Sequence, residues 1–166
     1  MRRRPLLATL AAATLTASPV HAADTPVQIV EKIYRISAGA DGKWNGPSAF
    51  LKPDFRKSTF SKGLAQAVRA ADAKNRKGEI GWLDFDPISN SQDPTVIGLK
   101  IAATAAAADK STVRASFRTG PGTPLANVDY DFVLEGADWK LDDIRTPGAD
   151  GWSIRRMTRA ATGGKN

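Results

Sequence analysis

Apolar residues recur with a helical period near the start of the chain. One predicted face carries Val27, Val30, Tyr34 and Ser37, with Ile33 beside them. Side chains three and four residues apart share a side of an α-helix. Just before this face, Thr25 can cap a helix, Pro26 suits its first position, and Gln28 completes a capping box. The pattern predicts an amphipathic helix that covers a sheet.

A second helical pattern follows from about Phe55 to Lys74. We expect one continuous helix there, because the apolar residues keep the spacing of one helix face throughout. The predicted face consists of Phe60, Leu64, Ala67, Val68 and Ala71.

After Pro94 the period of the apolar residues falls to two, which is typical of half-buried strands. Turns rich in Gly, Pro and Asp separate four such runs, so we predict an antiparallel meander with one buried face. The predicted inward positions are Ile97, Leu99, Ile101 and Ala103, then Val113, Ala115 and Phe117, then Val128, Tyr130, Phe132 and Leu134, then Trp139 and Leu141. Helices followed by this sheet make the fold class α+β, with helices packed on a curved sheet of about four strands.

The last predicted strand breaks its own alternation. Trp139 and Leu141 share one parity and Ile144 has the other. A β-bulge at Asp142 and Asp143 would return Ile144 to the core, because a bulge adds one residue to one strand.

The outward faces of the two middle strands carry opposite charges. Arg114 and Arg118 lie on one strand, and Asp129 and Asp131 lie on the next. If the strands pair, these side chains can neutralise each other across the ladder.

The chain ends in a basic segment. Trp152 to Ala161 reads as a short helix capped by Ser153, with its positive charge on Arg155, Arg156 and Arg159. These arginines suit a solvated helix surface, and they also suit a weak contact with an anionic surface or partner.

The first residues read as a secretory signal. Arg2 to Arg4 form a positive region, Leu6 to Leu15 form a short apolar run, and Val20 and Ala22 are the small residues that precede cleavage. We expect residues 1–22 to be removed after Ala22, which leaves residues 23–166 as one domain in the periplasm or outside the cell. Removal of the three arginines lowers the formal net charge from +7 to +4. No later segment has the roughly 18 apolar residues of a transmembrane helix.

Missing residue types exclude several kinds of chemistry. The chain has no Cys, and its single His, His21, lies in the predicted signal. Thiol nucleophiles, disulfides, Ser-His-Asp triads and the usual zinc sites are therefore excluded from residues 23–166. We expect no cofactor and no nucleic-acid partner, since an exported protein does not normally meet nucleic acid. An envelope protein or a small ligand is the expected partner.

The stretch GWLDFDPISNSQDP, residues 81–94, has no regular period and is the best candidate site. Its acidic and amide side chains suit a conformationally fixed loop that recognises a peptide or glycan, with Trp82 as an apolar platform. The candidate ligand-binding residues are Trp82, Asp84, Asp86, Asn90, Gln92 and Asp93.

Three other interpretations of this stretch stay open. The spacing of its acids begins like a calcium loop but departs from one at Ile88, Ser89 and Thr95. Acid-base catalysis would pair a buried Asp with Tyr34 or Tyr130, as in ketosteroid-isomerase-like enzymes.

In the structural interpretation, Asp and Asn side chains bond nearby backbone N–H groups and shape a crossover between helices and sheet. On this last view we expect Asp84→Ala to destabilise the protein and Asn90→Ala to leave its stability unchanged.

Two motifs point to known families. Asp84-Phe85-Asp86-Pro87, continued by Asn90-Ser91-Gln92-Asp93, resembles the hallmark of the YbjP/YqhG-like family of bacterial envelope proteins. Asp138 to Ile144 is similar to the last-strand signature of the nuclear-transport-factor-2-like (cystatin-like) cone folds.

The resemblance implies a cone-shaped α+β domain. It brings no established catalytic residue, and the absence of a lipidation Cys implies a soluble protein. We expect an exported non-catalytic protein that binds a partner or ligand. The alternatives are a small enzyme with Asp/Tyr chemistry and an inhibitor or immunity protein.

Overall fold

The computed structural model describes residues 23–38, 44, 47–75 and 80–164. Helices precede a four-stranded antiparallel sheet of order β1-β2-β3-β4, which confirms the predicted α+β class. The elements are α1 (Pro26–Ala38), a 3-10 turn (Ala49–Leu51), α2 (Pro53–Thr59), α3 (Lys62–Asp72), β1 (Ile97–Ala106), β2 (Lys110–Arg118), β3 (Leu125–Glu135), β4 (Asp138–Arg145) and α4 (Ile154–Ala161).

The first helix forms as its capping signals predict. The Gln28 backbone N–H donates to the Thr25 hydroxyl at 3.3 Å, and the Thr25 N–H donates back to the Gln28 side chain at 2.8 Å. Val30, Ile33 and Tyr34 are buried against the sheet. The capping box thus starts α1 at Pro26, and the helix buries its apolar face in the core.

The single helix predicted over Phe55 to Lys74 is wrong. The chain breaks into α2 and α3 at Phe60 and Ser61, which have extended backbones. The Ser61 N–H donates to the Leu141 carbonyl at 2.8 Å, and its hydroxyl caps the N–H of Leu64 at 2.9 Å. Bonding to β4 and a new helix cap replace the lost helical bonds, which side-chain periodicity alone does not reveal.

The central strands follow the predicted alternation. Val113, Ala115 and Phe117 of β2 and Val128, Tyr130 and Phe132 of β3 are all buried. The predicted bulge is also confirmed: the β3–β4 register shifts between Asp131 and Phe132, and Ile144 is buried.

The periphery of the sheet departs from the predicted buried face. β1 is at the sheet edge, and Ile101 alone among its residues packs against the core. Ile97, Leu99 and Leu134 are exposed. An edge strand has a neighbour on one side only, so its alternating pattern does not guarantee burial.

Charge neutralisation on the outer face is confirmed for one predicted pair. The Arg114 guanidinium donates to both oxygens of Asp129, at 2.6 and 2.9 Å. Asp129 is buried and also contacts Arg145 of β4 at 3.0 Å. Arg118 instead donates to a turn carbonyl, and Asp131 pairs with Arg145 at 2.7 Å. Arg145, which follows the bulge in β4, thus pairs with both Asp129 and Asp131. The pairing of β2 with β3 alone did not predict this partner.

The same bulge docks the last helix. α4 is capped by Ser153, as predicted, over 3.2 Å to the N–H of Arg156. Asp143 accepts the N–H of Arg155 at 3.0 Å, and the Arg155 side chain pairs with Asp142. Arg156 donates to the Gly151 carbonyl. Two of the three arginines predicted to contact an anionic surface, Arg155 and Arg156, therefore have partners within the molecule.

No helix within the described ranges is long and apolar enough to cross a membrane. The predicted signal peptide, residues 1–22, lies outside the described residues.

Candidate functional site

A cleft of about 360 Å³ lies between the crossover, residues 81–94, and the helices α2 and α3. Four of the six candidate residues line it, namely Trp82, Asp84, Asp86 and Gln92. The remaining lining residues are Ser48, Leu51, Arg56, Asp72, Asn75, Leu83, Phe85 and Pro87.

Asp86 organises the crossover from within. Its carboxylate accepts the Ser48 hydroxyl at 2.6 Å, the Ile88 N–H at 3.2 Å, and both the N–H and the hydroxyl of Ser89 at 3.3 and 3.0 Å. The backbone of Asp86 also pairs with that of Ser91. Four donors on one carboxylate build a fixed turn, so the first role of Asp86 is architectural.

Trp82 is positioned by the end of α3. Its indole N–H donates to one oxygen of Asp72 at 2.8 Å, and Arg56 donates to the other oxygen at 2.7 Å. The Arg56 guanidinium also lies 4.8 Å from the centre of the Phe50 ring and donates to the Phe50 carbonyl at 2.6 Å. These contacts hold the Trp82 ring, which forms the aromatic wall of the cleft, in one orientation.

Asn90 and Asp93 do not line the cleft. Asn90 has a left-handed backbone with φ of 53°, and its amide oxygen accepts the indole N–H of Trp152 at 2.7 Å. Asp93 is exposed and bonds through its backbone to the Ser91 hydroxyl. Asn90 therefore connects the crossover to the segment before α4.

Asp84 and Gln92 are the exposed polar members of the cleft. From the sequence we expected Asp84→Ala to destabilise the protein and Asn90→Ala to leave its stability unchanged. The contacts of the two side chains indicate the opposite order. Asn90 has the tertiary hydrogen bond, whereas the Asp84 side chain reaches solvent at the cleft. Asp84 and Gln92 are consequently available to bond a ligand that enters.

The two tyrosines of the chain meet in the core beneath the crossover. The Tyr130 hydroxyl donates to the Tyr34 hydroxyl at 3.0 Å, which donates to the Ile88 carbonyl at 2.9 Å. Burial raises the pKa of both phenols well above the usual range, and the nearby Asp86 charge adds to this. Both donors are thus occupied in holding the crossover on the sheet, which leaves neither free to polarise a substrate.

The cleft also depends on residues that the sequence did not single out. Ser48 precedes the 3-10 turn, Arg56 lies on α2, and Asp72 ends α3. Their separations follow no local period, so only the packing of these segments brings them to Trp82 and Asp86. Within the described ranges, no group of three or more acidic or imidazole side chains could hold a metal ion.

Comparison with known proteins gives one similarity. No protein-family model matches the chain, and no solved structure matches it. Over 140 residues the chain is 29% identical to a protein of Escherichia coli strain K12 that is named uncharacterized protein YqhG. The alignment covers 83% of this chain and 43% of YqhG, so the chain spans less than half the length of this curated relative. The similarity supports a YqhG-like family for the chain.

Proposed function

We propose that this chain is an exported binding protein that recognises a polar ligand or partner segment in the cleft beside Trp82. The observation that carries the proposal is that the cleft combines hydrogen-bonded carboxylates with polar side chains that are exposed to solvent. Asp86 and Asp72 are held by hydrogen bonds, whereas Asp84 and Gln92 are exposed next to an aromatic wall. A concave site with a few positioned polar groups and an aromatic face suits a peptide or a glycan.

Two further arguments favour binding over catalysis. Catalysis by an Asp/Tyr pair needs a phenol that can donate to a substrate, but the Tyr34 and Tyr130 hydroxyls already have acceptors in the core. Asp86 accepts four hydrogen bonds from Ser48, Ile88 and Ser89, so both of its oxygens are already bonded within the crossover and the adjoining turn.

Export and the wider fold relationship form part of the same proposal. The charged and apolar pattern of residues 1–22 supports cleavage after Ala22 and a periplasmic or secreted location. Helices packed on an antiparallel sheet, with the Asp138 to Ile144 signature in β4, support a place among the nuclear-transport-factor-2-like cone folds.

Site-directed photo-crosslinking in a bacterial host tests the binding site. A benzoylphenylalanine residue would replace Gln92 in the cleft and, as a matched control, exposed Lys110 at the start of β2. We expect a crosslinked species of defined mass from position 92 alone, and we expect Asp84→Ala to weaken it. Equal capture from both positions, or none from position 92, would contradict the proposed cleft. A tight one-to-one protein complex there would favour the inhibitor or immunity role.

N-terminal sequencing of the same material tests export separately. A periplasmic product that begins at Ala23 is expected. An uncleaved chain in the cytoplasm would refute export. The crosslinking result would still show whether the cleft binds a partner.

A further inference from the structure

A second concave surface lies on the helices, outside the crossover. Two connected hollows of about 500 and 730 Å³ share Lys57, Phe60, Ala65 and Arg69. We call this surface the α2–α3 groove. Its remaining lining residues are Pro53, Arg56, Lys62, Gln66, Val68, Ala70, Asp72 and Ala73.

The break between α2 and α3 creates the groove. The two helices are joined by Phe60 and Ser61 alone, and Phe60 turns inward to the core. At the other end Arg56 and Asp72 bridge the helices over 2.7 Å. Phe60 and Val68 are buried beneath the groove, and the alanines Ala65, Ala70 and Ala73 form its accessible apolar floor.

Charge distinguishes this surface from the cleft beside Trp82. The lining of the groove includes four cationic side chains, Arg56, Lys57, Lys62 and Arg69, and one carboxylate, Asp72. That carboxylate is already paired with Arg56. Lys57, Lys62 and Arg69 are exposed. Lys57 and Arg69 also suit the C-terminal turns of their helices, but that role does not require them to face one hollow.

We propose that the α2–α3 groove binds an acidic amphipathic segment of a partner protein. The apolar side chains of the segment would lie on the floor, and its carboxylates would reach Lys57, Lys62 and Arg69. This is the helix-in-groove mode of recognition, with charge complementarity at the rim. A concave surface receives a narrow segment better than a flat bilayer, which favours a peptide over an anionic membrane. The groove shares the Arg56–Asp72 pair with the cleft, but the cations that carry this inference, Lys57, Lys62 and Arg69, line the groove alone, so the inference does not depend on the proposed cleft.

Fluorescence anisotropy with designed peptides tests the groove. The probe is a labelled peptide of about 14 residues, roughly four helical turns, with Leu on one face and Glu elsewhere. Two comparison peptides replace Glu by Lys, or Leu by Ser. We expect binding of the Leu/Glu peptide alone, weakened as salt rises because exposed ion pairs are screened.

Charge reversal locates the binding surface. Lys57→Glu/Arg69→Glu changes two exposed residues of the groove. The matched control Arg35→Glu/Lys110→Glu makes the same change in net charge at exposed positions outside it, and Arg35 also lies in the last turn of its helix. We expect the groove variant to bind the Leu/Glu peptide roughly tenfold more weakly, and the control to bind it like the wild type. Thermal unfolding of both variants checks that they are folded.

Several outcomes would overturn the proposal. These are equal affinity for the Glu and Lys peptides, equal loss in the groove and control variants, or undiminished binding of the Ser peptide. Binding to phosphatidylglycerol vesicles through Lys57 and Arg69, without binding of the Leu/Glu peptide, would assign the groove to a lipid surface instead.

Discussion

The amide oxygen of Asn90 accepts a hydrogen bond from the indole nitrogen of Trp152 at 2.7 Å, across 62 residues of chain. Phe85 packs edge-on against the same indole, with ring centres 5.0 Å apart. The crossover and the segment that leads into α4 are therefore stabilised by one shared contact.

Replacement of Asn90 should destabilise the protein more than replacement of Asp84. Asn90→Ala removes the partner of Trp152 and places Ala in the left-handed region, at a combined cost of about 2 kcal/mol. Asn90→Gly removes the hydrogen bond but tolerates the backbone, so about half that cost is expected. Asp84→Ala should change the free energy of unfolding by less than about 0.5 kcal/mol. Urea unfolding measures all three, and a larger loss for Asp84→Ala would restore the ranking expected from the sequence.

The two buried tyrosines should respond unequally to loss of their hydroxyls. Tyr34→Phe leaves both the Ile88 carbonyl and the Tyr130 hydroxyl without a partner, at about 2–3 kcal/mol. Tyr130→Phe removes one donor while Tyr34 still bonds Ile88, at about 1 kcal/mol. Chemical unfolding of the two single variants gives the comparison, and equal losses would contradict the directed chain of hydrogen bonds.

Stability should fall steeply at alkaline pH. Burial raises the pKa of both Tyr34 and Tyr130, whereas the tyrosines of an unfolded chain ionise near pH 10. Below about pH 10 both states hold the phenol protons and the effect is absent. Above it the unfolded state releases protons that the folded state keeps, which costs up to about 1.4 kcal/mol per pH unit for each tyrosine.

Absorbance at 295 nm checks this prediction directly, since Tyr34 and Tyr130 are the two tyrosines of the chain. We expect phenolate to appear late and together with loss of the circular dichroism signal. Gradual ionisation near pH 10 with an intact signal would show that the hydroxyls are accessible in the folded state.

Asp72→Ala should release Trp82. The change removes the acceptor of the indole N–H and the partner of Arg56. The Asp72 side chain is 40% exposed, so water screens the pair and a loss of about 1 kcal/mol is expected. The emission of Trp82, isolated by subtraction of a Trp82→Phe variant, should shift to longer wavelength. An unchanged spectrum would mean that packing alone orients the ring.

Removal of the Asp143 side chain should detach α4 from the bulge. Its carboxylate accepts the N–H groups of Ile144 and Arg155 and the Ser153 hydroxyl, so Asp143→Ala should cost about 2–3 kcal/mol. Asp138→Ala, on the same strand but exposed, is the control and should change stability by less than about 0.5 kcal/mol. Comparable losses in both variants would contradict a docking role for the bulge.

The contribution of Asp143 to the free energy of unfolding should also depend on pH. Burial raises its pKa, despite hydrogen bonds that lower it. Its stabilising contribution is therefore full below the unfolded pKa and is lost as pH rises through the folded value. Asp143→Asn keeps the acceptor oxygen without this charge, so its stability relative to wild type should improve as pH rises from about 3 to 7. Parallel pH profiles for the two proteins would refute the shift.

The sequence predicted those features that local chemistry controls. Thr25 and Gln28 start α1 because a capping box needs only four neighbouring residues. The change to a period of two after Pro94 predicted the strands, and the broken parity at Ile144 predicted the bulge in β4. Residues 81–94 form a structured crossover, as predicted, because the Asp86 side chain bonds the nearby backbone N–H groups of Ile88 and Ser89.

Contacts between residues that are far apart in the sequence were decided by the tertiary structure alone. α3 begins at Lys62 because Ser61 bonds a carbonyl of β4, a contact 80 residues distant that no helical period records. Asn90 has a structural role because Trp152 folds back onto the crossover, whereas Asp84 stays exposed at the cleft. The cleft and the α2–α3 groove both adjoin the Arg56–Asp72 pair, which exists only once the two helices are packed. Local patterns specify elements and caps, but the side chains available to a ligand depend on which partners the folded chain brings to them.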